Sequence, residues 1–342
     1  MSRTHAPVYF YYPNGVDDDT ARRSTQEYLP GRAGNFVWTV KTWAYLSEMG
    51  FPCRLTSQLP DEGIVITHRE FLHNSMVPTP EQLFVCIMAD FYRHPFAQLH
   101  VVQNACDELV IRPSPNWRAV FMPHWTESAL IARDRARGDT LVNVSYYGLP
   151  ERLAPQLRSE GFIARLRECG FDFRMVSRDR WNDYSDTDVV LAVRSFARVS
   201  FHKYPPTKLY NCWAAGVPAL LGRESGYRAE KQHEYDYFEV DSVDHVLRTL
   251  IRLRDDTALR QAVTRRCAER AREVAPARVA GRWAHWITTT AAPAHAAWRE
   301  QSTTQRRRFV ASRSAAYARY VAQDFVIRGT ALLRRRARAL LP

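Results

Sequence analysis

The sequence predicts an α/β protein of two domains, each built on a parallel sheet, with a basic helical extension at the C-terminus. Three observations support this prediction. The chain of 342 residues is long enough for two domains that each bury a core. Short apolar runs alternate with helical patterns, as in parallel strands joined by helices. The final segment combines a helical spacing of apolar residues with a high density of arginine.

The predicted strands form two series of five, separated by residues 123–140, where neither pattern continues. Helical patterns at residues 36–48, 242–254 and 257–274 complete the two series. We therefore predict an N-terminal domain of residues 1–135, a C-terminal domain of residues 136–285 and an extension of residues 286–342. The strands are predicted at residues 8–12, 64–67, 83–88, 99–102 and 119–122, and at residues 141–147, 171–176, 189–193, 217–221 and 237–240.

The net charge of +12 is unevenly distributed. Residues 301–342 contain ten arginines and one acidic residue, Asp324, so this segment carries +9 and the rest of the chain only +3. The six cysteines have no metal-ligand or C-x-x-C spacing, which favours a reducing compartment. The sequence shows no signal-peptide pattern and no apolar run of membrane-spanning length. We expect a cytoplasmic protein that can lie on the inner face of the membrane.

Lysine is rare in this chain, with four lysines against forty-four arginines. Two of the four, Lys203 and Lys208, occur in the segment K-Y-P-P-T-K-L-Y-N-C-W-A-A-G-V-P. Pro205 and Pro206 predict an extended entry, and Thr207 is a predicted N-cap for a helix at residues 208–215. Two compact ammonium groups beside a helix N-terminus are typical of phosphate binding. The alternative is a pair of ordinary solvated lysines.

The same segment resembles the donor-binding region of glycosyltransferases with the GT-B fold. The resemblance is carried by the entry P-T-K-L, the helix end A-A-G-V-P and the E-S-G-Y that follows, and it extends over residues 5–285 in the order of the elements. It implies two Rossmann-like domains that face each other across a cleft. The C-terminal domain would bind a nucleotide diphosphate sugar, and the N-terminal domain would receive the acceptor.

The resemblance also implies roles for particular residues. Lys203 and Lys208, with Arg194 as a third cation, would neutralise the diphosphate. Many retaining members carry two glutamates where this chain has Lys203 and Asn211. Asn211 can still bond a ribose hydroxyl, but a lysine cannot accept a hydrogen bond, so retention or inversion stays open. The loop expected to lie against the donor's sugar or phosphates comprises Glu224, Ser225, Gly226 and Tyr227.

Polar residues that follow strands of the first half are candidates for the acceptor side, because open parallel sheets bind ligands at the carboxyl ends of their strands. His68, Asp90 and His94 are the predicted catalytic candidates, with loop capping as the alternative for each. Gly34 and Asn35, in a glycine-containing loop after the first strand, are predicted donor contacts, although the loop lacks the G-x-G-x-x-G fingerprint. Weaker candidates at later strand ends are Gln103, Asn104, His124 and Trp125.

Asp186 and Asp188 form a D-x-D sequence, which binds a metal ion and a nucleotide sugar in the other large glycosyltransferase fold. These acids precede a predicted strand rather than follow one, so we interpret them as a polar turn. We predict no metal and no cofactor, with the nucleotide diphosphate sugar as co-substrate.

The basic extension is predicted to form a helix from about Thr303. Three interpretations are open: its arginines bind anionic lipid, its apolar stripe packs on the body of the protein, or it binds nucleic acid, which we favour least. The apolar residues of the stripe are Val310, Tyr317, Tyr320, Val321, Phe325, Leu332, Leu333 and Leu340.

Together these features predict a metal-independent glycosyltransferase that acts on a saccharide, a lipid-linked or another acceptor. Two alternatives are a sugar-nucleotide epimerase on the same fold and a non-enzymatic binder of membranes or nucleic acid that acts through the tail. The nucleotide base, the sugar, the acceptor and the stereochemical outcome depend on pocket shape, which one sequence does not specify.

Overall fold

The computed structural model describes residues 6–197 and 199–339, with side chains as far as residue 323. The N-terminal domain contains a six-stranded, all-parallel sheet in the order β2-β1-β3-β4-β5-β6. Its elements are β1 (Val8–Tyr11), α1 (Asp18–Arg23), α2 (Gly34–Phe36), α3 (Thr42–Glu48), β2 (Arg54–Thr56), β3 (Gly63–His68), β4 (Gln82–Ile87), β5 (Leu99–Val102), α4 (Glu108–Ile111) and β6 (Arg118–Phe121), with a π-helical turn (Val37–Lys41) between α2 and α3.

Strands β3, β4 and β5 lie in the middle of this sheet and are buried along their whole length. Continuous apolar sequence suits such strands, because both faces of a parallel sheet are covered. All five strands predicted for this half are confirmed. The edge strand β2 was not predicted, since its three residues are partly exposed and carry no apolar run.

The C-terminal domain contains a five-stranded parallel sheet in the order β11-β10-β9-β7-β8. All five predicted strands are present, and β9 and β10 are fully buried. The elements are β7 (Asn143–Tyr147), α5 (Glu160–Glu168), β8 (Asp172–Val176), β9 (Val189–Ala192), α6 (Thr207–Ala215), β10 (Ala219–Leu221), α7 (Ser225–Glu230), β11 (Phe238–Glu239), α8 (Val243–Asp255) and α9 (Thr257–Glu273).

After α9 the chain returns to the N-terminal domain. Helix α10 (Pro276–Trp286) and α11 (Ala292–Arg299), joined by a π-helical turn (Ile287–Ala291), place Trp283, Trp286 and Trp298 in the core beneath α3 and the first sheet. The predicted boundary at residue 285 falls within α10. The C-terminal domain ends with α9, because the apolar stripe of α10 is buried against the other domain.

The last helix, α12 (Thr303–Ala339), also begins on the N-terminal domain. Its Arg313 is buried, with the guanidinium 5.5 Å from the Trp117 ring centre, and burial lowers the pKa of Arg313 to about 10. Ala316 and Tyr317 join the same apolar cluster. The packing interpretation of the tail is thus confirmed for the part that ends near Tyr320. Val321 is exposed, the side chains of Phe325, Leu332 and Leu333 lie outside the described ones, and Leu340 lies outside the described residues.

Candidate functional site

A cavity of about 440 Å³ lies between the carboxyl edges of the two sheets. Residues of both domains and of the segment between them line it, so the site is formed only when the two domains face each other. Seven of the predicted catalytic and donor-binding residues line this cavity, namely Gly34, Asn35, His68, Asp90, Arg194, Lys208 and Asn211, and so do the weaker candidates Gln103 and His124. It is also lined by Trp38, Glu70, Gln103, His124, Glu127, Tyr146, Tyr147, Gly148, Arg152, Trp181, Tyr184, Tyr204 and Thr207, among others.

The C-terminal wall contains the start of α6. Thr207 is the first helical residue and Pro206 occupies the N-cap position, one residue earlier than predicted. The N–H groups of a first helical turn have no carbonyl partner within the helix, and the helix dipole makes this end positive. Thr207 and Lys208 both line the cavity, so the helix end is directed at the cleft. At the other end, Gly216 adopts a left-handed conformation with φ of 69°, as expected for a C-terminal glycine.

Lys208 is only partly exposed. Burial lowers the pKa of Lys208 to about 8, with a smaller contribution from the nearby Arg194, so the ammonium is charged at pH 7. Its Nζ lies 5.8 Å from the centre of the Tyr146 ring. Gly148 makes room beside it, since a Cβ at this position would lie 3.3 Å from Lys208 Cε and 2.6 Å from Tyr146 Oη.

Arg194 follows strand β9 and is held by Glu224. The two side chains form an ion pair, and the guanidinium lies 4.4 Å from the Tyr204 ring centre. Glu224 is 4% exposed, burial raises its pKa, and its Oε1 has no hydrogen-bond partner among the described residues. Glu224 therefore fixes the orientation of Arg194 behind the cavity wall, while Arg152, from the loop after β7, adds a further cation to the lining.

The remaining residues of the E-S-G-Y loop do not line this cavity. Ser225 accepts a hydrogen bond from Asn104, and Tyr227 is buried in the core of the C-terminal domain. Gly226 lies against the Tyr204 carbonyl, where a Cβ would approach to 3.0 Å. In the described structure, this loop packs behind the residues that line the cavity.

Lys203 and Lys208 are not brought together on one cavity. Lys203 Nζ lies 3.2 Å from the centre of the Tyr92 ring, and Lys203 lines a separate cavity of about 550 Å³ beside Tyr320. The left-handed residue Phe201, with φ of 49°, precedes both lysines, whereas Tyr204, Pro205 and Pro206 lie between them. The two lysines, five residues apart, face different cavities.

The N-terminal wall contains a network of polar side chains. Asn35 Nδ2 donates to Glu70 Oε2 over 2.7 Å, and Asn35 Oδ1 is buried without a partner among the described residues. His68 Nδ1 accepts the Glu70 N–H over 3.3 Å, which assigns the ring proton to Nε2. Burial lowers the pKa of His68 to about 4, so the ring is neutral at pH 7.

Asp90 is the carboxylate that follows strand β4. The residue before it, Ala89, has φ of 46°, an uncommon conformation for a residue with a side chain. Gln103 Nε2 donates to Asp90 Oδ1 over 2.6 Å. Burial raises the pKa of Asp90, opposed by this hydrogen bond and by Arg194. A carboxylate with a raised pKa is a stronger base than a solvated one.

His94 lies elsewhere. Its ring is buried, and Nδ1 accepts the N–H groups of Phe96 and Ala97 while Nε2 contacts the His73 carbonyl. This geometry is that of a loop cap, the structural alternative for this residue.

Two polar residues in or beside the interdomain segment join the site. The carboxyl of Glu127 lines the cavity, and burial raises its pKa. The backbone N–H of Glu127 donates to Asn211 Oδ1 over 3.0 Å. This hydrogen bond holds the Asn211 side chain against the interdomain segment. His124 Nδ1 donates to the Trp125 carbonyl, and burial lowers the pKa of His124 to about 4. Of Glu127 and His124, only His124 could be predicted as a site residue, because it follows a predicted strand.

The D-x-D acids are structural. Asp188 is buried, pairs with Arg133 and Arg137, and accepts the N–H groups at the start of β7. Asp186 also pairs with Arg137. The interpretation as a polar turn is confirmed. Within the described residues, no group of three histidine, cysteine or acidic side chains could hold a metal ion, and no helix is long and apolar enough to cross a bilayer.

Two parallel α/β domains that face each other across a cleft define the GT-B architecture. Neither a family model nor a curated protein matches the sequence. Among solved structures, sucrose-phosphate synthase from Thermosynechococcus elongatus matches with a TM-score of 0.52 at 10% identity, covering 83% of this chain and 99% of that chain. HepE of Anabaena, solved with UDP-glucose, gives a TM-score of 0.49 at 12% identity, with 83% and 100% covered. The chain has the GT-B fold.

Proposed function

We propose that this protein is a glycosyltransferase that moves a sugar from a nucleotide diphosphate sugar to an acceptor hydroxyl. The division of charge across the cavity carries the proposal. Arg152, Arg194 and Lys208 line the C-terminal side with the start of α6, whereas Asp90 and Glu70 line the N-terminal side. Cations are required where a diphosphate departs, and a base is required where a hydroxyl attacks. The GT-B fold of the chain is consistent with this assignment.

On the donor side, we propose that Lys208 and Arg194 bind the diphosphate directly. Both are held in place, Lys208 by Tyr146 and Gly148 and Arg194 by Glu224. Fixed cations in a partly dry cleft stabilise developing negative charge more strongly than solvated ones. With these groups and the helix end, we propose that the leaving group is neutralised without a metal ion. Lys203, which faces another cavity, is assigned no donor contact.

On the acceptor side, we propose Asp90 as the base. Burial raises its pKa, whereas burial lowers the pKa of His68 to about 4 and makes that imidazole a weak proton acceptor. A shift of the pKa towards the working pH strengthens a base, and a shift away from it weakens one. His68 and Asn35 are then left to orient the acceptor or the transferred sugar.

A thermal-shift screen of the full chain tests the donor. UDP-, GDP-, ADP- and CMP-sugars are compared with the corresponding nucleoside monophosphates, because a ligand at about a hundred times its Kd adds about 2.7 kcal/mol to the free energy of unfolding. We expect one nucleotide series to stabilise the protein, with the diphosphate sugars more effective than the monophosphates. Absence of stabilisation by every donor would contradict the proposal. Formation of an epimer without an acceptor would identify an epimerase instead.

We propose further that the tail beyond Tyr320 contacts an anionic membrane surface. Residues 321–342 contain five arginines and one aspartate, and they follow the part of α12 that packs on the body. Each basic residue near an anionic bilayer contributes about 1 kcal/mol. Cosedimentation with phosphatidylglycerol vesicles is expected for the full chain and not after deletion of residues 321–342. Equal binding to phosphatidylcholine vesicles would argue against an electrostatic contact.

A further inference from the structure

Two adjacent amide side chains at the end of β5 connect the domains. Gln103, 3% exposed, uses its whole amide group: Nε2 donates to Asp90 Oδ1 over 2.6 Å and to the Lys203 carbonyl over 2.8 Å, while Oε1 accepts from Trp38 Nε1 over 3.0 Å. Because the indole can only donate, the oxygen and nitrogen of Gln103 are assigned without ambiguity. Asp90 is therefore tied, through one amide, to a backbone carbonyl of the opposite domain.

Asn104 makes the second connection. Its Nδ2 donates to the Tyr204 carbonyl over 3.2 Å and to Ser225 Oγ over 3.1 Å, and its Oδ1 accepts the Cys106 N–H, which fixes the orientation of the amide. Asn104 is 1% exposed. The two amides thus hold the carbonyls of Lys203 and Tyr204, at the start of segment 203–206, which leads directly into α6 and Lys208.

We propose that Gln103 and Asn104 form an interdomain amide clamp that sets the position of Asp90 according to the position of the donor-side segment 203–206. The assignment rests on the proposed function, in which Asp90 serves the acceptor and α6 serves the donor. Gln103 has two acceptors for its NH₂ group, and a shift of segment 203–206 removes one of them. The amide then rotates or moves, and Asp90 loses the donor that holds its carboxylate. Both are positioning residues.

The charge environment of Asp90 makes this coupling measurable. From the C-terminal domain, Arg152, Arg194 and Lys203 favour its ionised form, and burial opposes it. His68 and Glu70 line the same cavity on its own side. Removal of the Gln103 hydrogen bond leaves these groups in place. We therefore expect Gln103 variants to raise the pKa of Asp90 by about one to two pH units, the value of a hydrogen bond to a charged group.

The experiment is a carbon-13 NMR titration of aspartate carboxyl groups in the full chain, with Asp90→Asn to assign the signal. Gln103→Met keeps an unbranched side chain of similar length, offers no N–H to Asp90 and adds no charge beside it, and Gln103→Leu serves if that variant does not fold. Gln98→Leu is the matched control, since it removes another buried amide, bonded to Phe84 N–H and the Gln82 carbonyl. An unchanged pKa of Asp90 in the Gln103 variant, or an equal shift in the Gln98 control, would overturn the positioning role.

Asn104→Ala tests the coupling itself. Asn104 bonds the Tyr204 carbonyl and Ser225 Oγ and does not bond Asp90, so its side chain acts on the carboxylate indirectly, through segment 203–206 and the adjacent Gln103. We expect the pKa of Asp90 to rise in Asn104→Ala, by less than in Gln103→Met, and a wild-type value would refute the clamp. Calorimetry with UDP, GDP, ADP and CDP is run in parallel. If no nucleotide binds, the proposed function fails, while the NMR titrations still decide the clamp.

Discussion

Replacing Lys208 by Met should make the protein more stable and a weaker nucleotide binder. The substitution keeps an unbranched side chain beside Tyr146 and Gly148 but removes the ammonium. Burial lowers the pKa of Lys208 from 10.5 to about 8, which corresponds to roughly 3 kcal/mol of unfavourable free energy for the charged form in the folded state. We expect K208M to raise the free energy of unfolding at pH 7 by about 1–3 kcal/mol in urea denaturation.

The pH dependence has a definite sign. Between pH 8 and 10.5 the unfolded chain retains the Lys208 proton that the folded protein has released, so wild-type stability gains a contribution that grows with pH in this interval. K208M should lack that contribution. Nucleotide affinity should change in the opposite sense, because the wild type loses its ammonium as pH rises above 8. K208R keeps a charge that does not titrate there, and its affinity should persist.

For binding, a hydrogen bond to a charged group is worth about 1.5–3 kcal/mol, so K208M should raise the Kd of the donor roughly 10- to 150-fold. Isothermal calorimetry at pH 7 measures this change with the donor selected by thermal shift. Lys231→Met is the control, since Lys231 lies over the Tyr237 ring and does not line the cleft. A less stable K208M with wild-type nucleotide affinity would refute both the burial and the phosphate arguments.

Three other substitutions test neighbouring parts of the structure. Gly148→Ala crowds Lys208 and should weaken donor affinity at least several-fold by calorimetry, whereas Gly161→Ala, in open space, should not. Ala89→Gly removes the strain of a left-handed backbone and should add about 1 kcal/mol to the free energy of unfolding in urea. The more flexible backbone should place Asp90 less well and lower turnover. A loss of stability would disprove the strain. Arg270→Met removes a fully buried cation from its partner Glu230, which is partly buried, and should cost about 3 kcal/mol, visible as a lower thermal midpoint. An unchanged midpoint would show that the pair is dispensable.

Ten of the eleven strands in the described residues could be predicted because each coincides with a short apolar run in the sequence. These runs are most continuous in the middle strands β3, β4, β5, β7, β9 and β10, which are buried along their whole length. The edge strand β2 gave no such signal. The domain to which α10 belongs could not be predicted, because the apolar stripe of a helix indicates that it packs on a core, but not which core. Trp283 and Trp286 could have completed either domain from sequence alone.

Site residues could be predicted where a strand ends directly in the cleft, as for His68, Asp90 and Arg194, because parallel strands share a carboxyl edge. His94 lies further along the loop after β4, and its ring accepts the N–H groups of Phe96 and Ala97 in the same loop. The strand-end argument therefore does not apply to it. Lys203 follows the left-handed residue Phe201 and precedes two prolines that lie between it and Lys208. Its side chain faces Tyr92 rather than the cleft. Glu127 carried no signal, since its position depends on how the two domains pack.

The return of α10 and α11 to the first domain has a consequence for biosynthesis. Trp283, Trp286 and Trp298 complete a core whose strands all precede residue 122. The strands of the first domain therefore leave the ribosome long before the helices that cover them. All elements of the second domain, which end with α9, are synthesised before α10 and α11. The domain made first is finished last. Until then its apolar face is a surface on which a chaperone can act.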